Sequence, residues 1–114
     1  MKALTANHSS ADVWVEFRTA AEGGRVSAAF LGDGKYRPHL RVAGGEYLGV
    51  AFVGVPESLV QPGASCMATV SFMYEPEVDY AALVEGAQFD VLEGARVVAT
   101  GRVVYRKSIR GQHE

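Results

Sequence analysis

A chain of 114 residues, with 48% hydrophobic and 21% charged residues, has the size and composition of one ordinary globular domain. Such a domain can bury a core without disulfide or metal staples, and the single cysteine, Cys66, excludes an intrachain disulfide. A net charge of -2 offers little attraction to polyanions, so DNA is not an expected partner.

In chain order, residues 1–11 are polar and unpatterned and read as a loose tail. Lys2 is followed by no apolar run, because His8, Ser9 and Ser10 interrupt it, so a secretory signal is not expected. The single cysteine suits a reducing compartment, and the expected location is cytoplasmic. From Asp12 the period is two: Val13, Val15 and Phe17 alternate with Trp14, Glu16 and Arg18. Both sets carry large groups, so the strand is expected to be covered on both faces. Glu22-Gly23-Gly24-Arg25 reads as a turn. Residues 26–30 suggest a short strand before the loop Gly32-Asp33-Gly34.

Residues 36–42 form a strand candidate containing Pro38, which lacks an N–H and so belongs at an edge or an irregularity. Ala43-Gly44-Gly45 turns the chain into a β-rich run over residues 46–55, within which residues 50–55 are the longest strongly apolar stretch, far shorter than a membrane-spanning helix. Residues 56–63 read as a connection ending in Pro62-Gly63. Residues 64–74 alternate most clearly, with Cys66, Ala68, Val70, Phe72 and Tyr74 on one face. A short helical turn is expected over residues 79–84. Residues 88–92 and 97–105 then form a hairpin around Glu93-Gly94-Ala95-Arg96, and residues 108–114 read as a second tail. No stretch sustains a helical period, and the expected domain is all-β over residues 12–107.

The order of these features resembles the third, C-terminal β-barrel of elongation factor Tu, over roughly residues 12–105. Tyr36-Arg37-Pro38 is similar to that family's Tyr-Arg-Pro-Gln-Phe strand, and Pro62-Gly63 leads into a long alternating strand. Glu93-Gly94-Ala95-Arg96 followed by Gly101 is similar to its Glu-Gly-Gly-Arg hairpin. The resemblance implies a closed antiparallel six-stranded Greek-key-like barrel. It also implies contact with tRNA or with a protein such as the nucleotide-exchange factor. The family's GTPase domain and second barrel have no counterpart here, so nucleotide hydrolysis is not expected. His39 stands where the family has glutamine, Ala64 where an acidic residue follows Pro-Gly, and Val42-Ala43-Gly44-Gly45 where it has a threonine-rich segment.

Chemistry-bearing patterns are sparse. Gly32-Asp33-Gly34-Lys35 lacks the first glycine and the Ser or Thr of a P-loop, since Ala29 and Tyr36 occupy those places. His8, His39 and His113 are scattered without paired cysteines, so no metal and no cofactor are expected. Glu75, Glu77 and Asp79 lack the glycine and distal glutamate of a calcium loop. Cys66 shares a face with Val70 and Phe72 and reads as a small buried hydrophobe. The segment holding Glu75, Glu77, Asp79, Glu85, Asp90 and Glu93 has no Lys or Arg. The one holding Arg96, Arg102, Arg106, Lys107 and Arg110 has no Asp or Glu; the expectation is that facing strands pair these charges or leave them solvated.

The candidate partner-binding residues are therefore Tyr36, Arg37, His39, Arg41 and Arg96. Aromatic and basic groups on a Pro-bearing strand could stack on bases and meet phosphates. Equally, Tyr36 could pack in the core, Arg37 hold a loop carbonyl, and Arg96 stabilise the hairpin. The expectation is a non-catalytic module with a protein partner. RNA binding and an inhibitor or immunity-type mimic of a translation-factor domain are the alternatives.

Overall fold

The computed structural model describes residues 8–108. The expected tails at 1–7 and 109–114 lie outside the described residues. The first strand, β1 (Ser10–Phe17), starts two residues before the expected position and buries Ala11, Val13, Val15 and Phe17 while Asp12, Trp14 and Glu16 face outward. It is thus covered fully on one face only. A 3-10 turn follows at Ala20–Glu22, closed by a capping box in which the Thr19 side chain accepts from the Glu22 N–H and the Glu22 carboxylate accepts from the Thr19 N–H. There is no α-helix among the described residues, and no helix of theirs is long and apolar enough to cross a membrane.

Seven further strands complete the list: β2 (Ala29–Phe30), β3 (His39–Arg41), β4 (Leu48–Val53), β5 (Leu59–Val60), β6 (Ser65–Phe72), β7 (Gln88–Glu93) and β8 (Arg96–Lys107). Six of the eight strands close an antiparallel barrel in the order β1-β6-β4-β3-β7-β8, and β2 pairs with β5 in a separate ribbon. In sequence β3, β4 and β6 follow one another around the wall and β1 lies beside β6, which is Greek-key connectivity. Closure leaves the barrel without a free edge.

Several local expectations change. The strand over 36–42 shrinks to β3, because Pro38 cannot donate to a ladder; its carbonyl instead accepts from the Val50 N–H at 3.1 Å. The connection over 56–63 contains β5, whose Val60 packs into the core opposite Ala29. Residues 79–84 form no helix, only a turn closed by the Leu83 N–H on the Tyr80 carbonyl at 3.0 Å. The alternation of 64–74 ends at Phe72, and Tyr74 is exposed.

Each mouth of the barrel is closed by a cluster of side chains to which a long connection contributes. At one mouth the rings of Phe17, Tyr36 and Phe52 gather, with Tyr36 and Phe52 5.5 Å apart, beside Ala29, Leu31 and Val60. At the other, Tyr80 and Leu83 insert from the 73–87 connection, and Tyr80 stacks on Phe72 at 4.7 Å. Burying a ring such as Phe52 or Phe72 contributes about 1.5–3 kcal/mol. Arg106 holds the second plug by donating to the Tyr80 and Leu83 carbonyls at 2.8 and 3.2 Å while its guanidinium lies over Phe72. The acidic and basic segments meet where β7 and β8 pair, with Glu93 opposite Arg96. Lys107 reaches Asp12 at 3.5 Å, so part of the charge asymmetry is absorbed within the fold.

Candidate functional site

The ladders place the outward side chains of four adjacent strands in transverse rows. One row runs Trp14, Arg102, Gln88 across β1, β8 and β7. The next runs Glu16, Thr100, Asp90, Arg41 and so reaches β3. Together these residues line a groove of about 550 Å³ on the barrel wall, with Ala43, Phe89 and Gly101 completing it. That volume lies within the ~300–1,000 Å³ range of small-ligand and side-chain pockets.

Local geometry explains the concavity. A Cβ at Gly101 would lie 2.4 Å from the Trp14 carbonyl oxygen and 2.6 Å from the Phe89 ring, so only glycine lets β8 approach β1 with Phe89 packed beneath it. Register shifts at Asp12/Val13 and at Val91/Leu92 bend the same strands. At one end, the turn after β3 has positive φ at both Ala43 (51°) and Gly44 (75°), closed by the Gly45 N–H on the Val42 carbonyl at 2.9 Å. Those signs are those of a type I′ turn, which matches the right-handed twist of the flanking strands.

The groove's charges are interleaved. The Trp14 indole Nε1–H donates to Glu16 Oε2 at 2.9 Å, fixing both side chains. Arg41 faces Asp90 at 3.9 Å, a long and partly exposed pair worth little in stability. The Arg41 Nε is fully desolvated and has no hydrogen-bond partner, an uncommon state for a buried donor. Its guanidinium also lies 5.4 Å from the centroid of Tyr47, whose ring sits 5.5 Å from that of His39. A ladder of His39, Tyr47 and Arg41 therefore continues the groove along the wall.

The sequence-derived candidates are divided between two places. His39 and Arg41 share the outer face of β3; Arg41 lines the groove, while His39 lies beside it against Tyr47. Tyr36 turns inward at the first mouth, where its hydroxyl donates to Glu93 Oε2 at 2.5 Å. Arg25 donates to the same oxygen and lies over the Tyr36 ring, with its Cζ 5.2 Å from the centroid. Burial first, and then the Glu93 carboxylate, push the Tyr36 phenol well above its ordinary value. Arg37 is exposed and its Nε–H donates to the Gly34 carbonyl at 2.9 Å, which steadies a loop. Arg96 is exposed at the hairpin corner opposite Glu93.

Trp14, Glu16, Gln88, Asp90 and Arg102 were absent from those candidates. The one signal that pointed to them is Trp14, a large aromatic group on the polar face of an alternating strand. For nucleophilic chemistry the geometry offers no help. His39 stands opposite Gly49, whose carbonyl accepts from Met73. Cys66 lies further along β6, roughly 23 Å away at the rise of an extended strand. Burial also raises the Cys66 thiol pKa, favouring the unreactive form. Among the described residues no group of three or more His, Cys, Asp or Glu is placed to hold a metal ion.

Fold and groove together define a closed six-stranded antiparallel barrel with a mixed-charge cleft on its wall. A scan against protein-family models finds none that matches the chain.

Proposed function

We propose that this barrel is a non-catalytic binding module that recognises a protein partner through the groove and the adjoining His39–Tyr47–Arg41 ladder. One observation carries the reading: Arg41 and Arg102 line one groove with Glu16, Asp90 and the only tryptophan of the chain. A polyphosphate would meet two carboxylates as well as two cations in this groove, whereas a protein surface carries both signs and apolar groups to match. Tryptophan and arginine are also the residue types that dominate binding energy at protein interfaces.

A link to translation belongs to the same proposal. It rests on the resemblance to the third barrel of elongation factor Tu. It is supported by a closed six-stranded wall with Tyr36-Arg37-Pro38 leading into β3 and Glu93-Gly94-Ala95-Arg96 at a barrel corner. A cytoplasmic setting rests on the single cysteine.

The test is affinity capture from host lysate with and without nuclease treatment, comparing the native chain with a Trp14→Ala/Arg41→Glu variant. The reading requires a protein retained by the native chain and lost by the variant. Retention that nuclease abolishes, or that the variant leaves intact, contradicts it.

The ladder favours a second reading, RNA binding, because a tyrosine flanked by histidine and arginine is a stacking platform. In that case affinity for tRNA falls steeply between about 50 and 200 mM salt. A flat response, or no binding at the lower concentration, removes it.

A further inference from the structure

We propose that the groove seats a segment of the partner that presents a carboxylate next to an apolar group, the carboxylate on Arg102 and the apolar group on the Trp14 indole. This inference rests on the binding-module reading and narrows the chemistry of the partner.

Both groove carboxylates already have a cationic or N–H neighbour: Glu16 accepts from the Trp14 indole at 2.9 Å, and Asp90 faces Arg41 at 3.9 Å. Arg102 differs. Its neighbours across the ladder are Trp14 and Gln88, neither of them acidic. No hydrogen bond or ion pair joins its side chain to any other described residue. Its five N–H donors are therefore directed at solvent beside a half-buried indole.

Two guanidiniums and two carboxylates line the groove, and Arg102 alone of the four has no partner among the described residues, so the open place is opposite a cation. The apolar surface nearest to that need is Trp14. A guanidinium pairs a carboxylate through two parallel N–H donors, and a carboxylate beside an apolar group is what an acidic residue next to an aromatic or aliphatic one supplies. A phosphodiester chain would bring negative charge too, but it repeats, and its next charges would fall against Glu16 and Asp90.

Trp14 is the only tryptophan, so its indole N–H resonance reports groove occupancy directly. The experiment follows that resonance while adding N-acetyl-Phe-Glu-Phe-amide, its Gln and Lys analogues, and an octauridylate. The proposal expects the Glu peptide to shift the resonance saturably and to bind about tenfold tighter than the Gln peptide, the ratio of a charge-assisted to a neutral pair. It also expects Arg102→Gln to erase that preference and Arg102→Lys to retain part of it.

Equal binding of Glu and Gln peptides, or stronger binding of the Lys peptide, overturns the inference. Silence toward all three peptides overturns it as well. In these cases the module reading stands if capture still depends on Trp14. A shift produced by octauridylate and not by the Glu peptide overturns both.

Discussion

The Tyr80 hydroxyl donates a 2.6 Å hydrogen bond to the Gly49 carbonyl and accepts one from the Tyr74 N–H at 3.0 Å, tying the plug of one mouth to two backbone groups of the wall. Tyr80→Phe keeps the ring stacked on Phe72 but leaves both backbone groups without that partner. The expected loss is about 1–3 kcal/mol. Denaturant unfolding followed through Trp14 fluorescence measures it, and an unchanged midpoint would mean the plug is held by apolar packing alone.

At the opposite mouth one carboxylate oxygen of Glu93 serves both Arg25 and Tyr36. Tyr36→Phe and Glu93→Gln should each cost about 1–2 kcal/mol, discounted for partial exposure of the cluster. The double variant should cost less than the sum, because each change removes the same bond. Additive losses in a double-mutant cycle would show that the two groups act separately.

The raised Tyr36 phenol carries a pH signature. An unfolded tyrosine releases its proton near pH 10.0, while in the folded state burial and Glu93 hold it to higher pH. Above that value the unfolded chain binds fewer protons, so stability falls as pH rises further; below it the contribution is fully present. Tyr36→Phe should therefore flatten the decline in unfolding free energy between about pH 9 and 11. Tyr80, also raised by burial, retains a share of the slope in that variant.

Gly101→Ala should be the most damaging small change in the groove. Its methyl would meet the Trp14 carbonyl oxygen and the Phe89 ring at 2.4 and 2.6 Å, so β1 and β8 must separate. The expected cost is above about 2 kcal/mol. Gly94→Ala is the control: its Cβ meets nothing within 4 Å, and the positive φ of 62° alone should cost about 1 kcal/mol. Thermal unfolding of the two variants ranks them, and equal losses would contradict the close approach at Gly101.

What could be read from the sequence was local. The alternation of 64–74 became β6, and Glu93-Gly94-Ala95-Arg96 became the β7–β8 corner, since period two and a glycine turn are written in neighbouring residues. β5 escaped notice because two residues show no period. Its strand character comes from Val60 meeting Ala29, thirty-one positions earlier. The groove was hidden for the same reason. Trp14, Arg102 and Gln88 stand in one row only because of which strands adjoin and in what register. Tyr36 and Arg41 lie close in sequence but five positions apart, so the period of two turns the first inward at the mouth and the second outward on β3.

The most direct test of the central claim is to map the captured partner onto the barrel by backbone and indole NMR shifts. Recognition through the groove predicts the largest changes at Trp14, Arg41, Gln88, Asp90 and Arg102, with the mouth residues Tyr36 and Tyr80 undisturbed. Changes centred on the exposed Phe30–Leu59 ribbon or on Val104 and Tyr105, with a silent Trp14 indole, would contradict it.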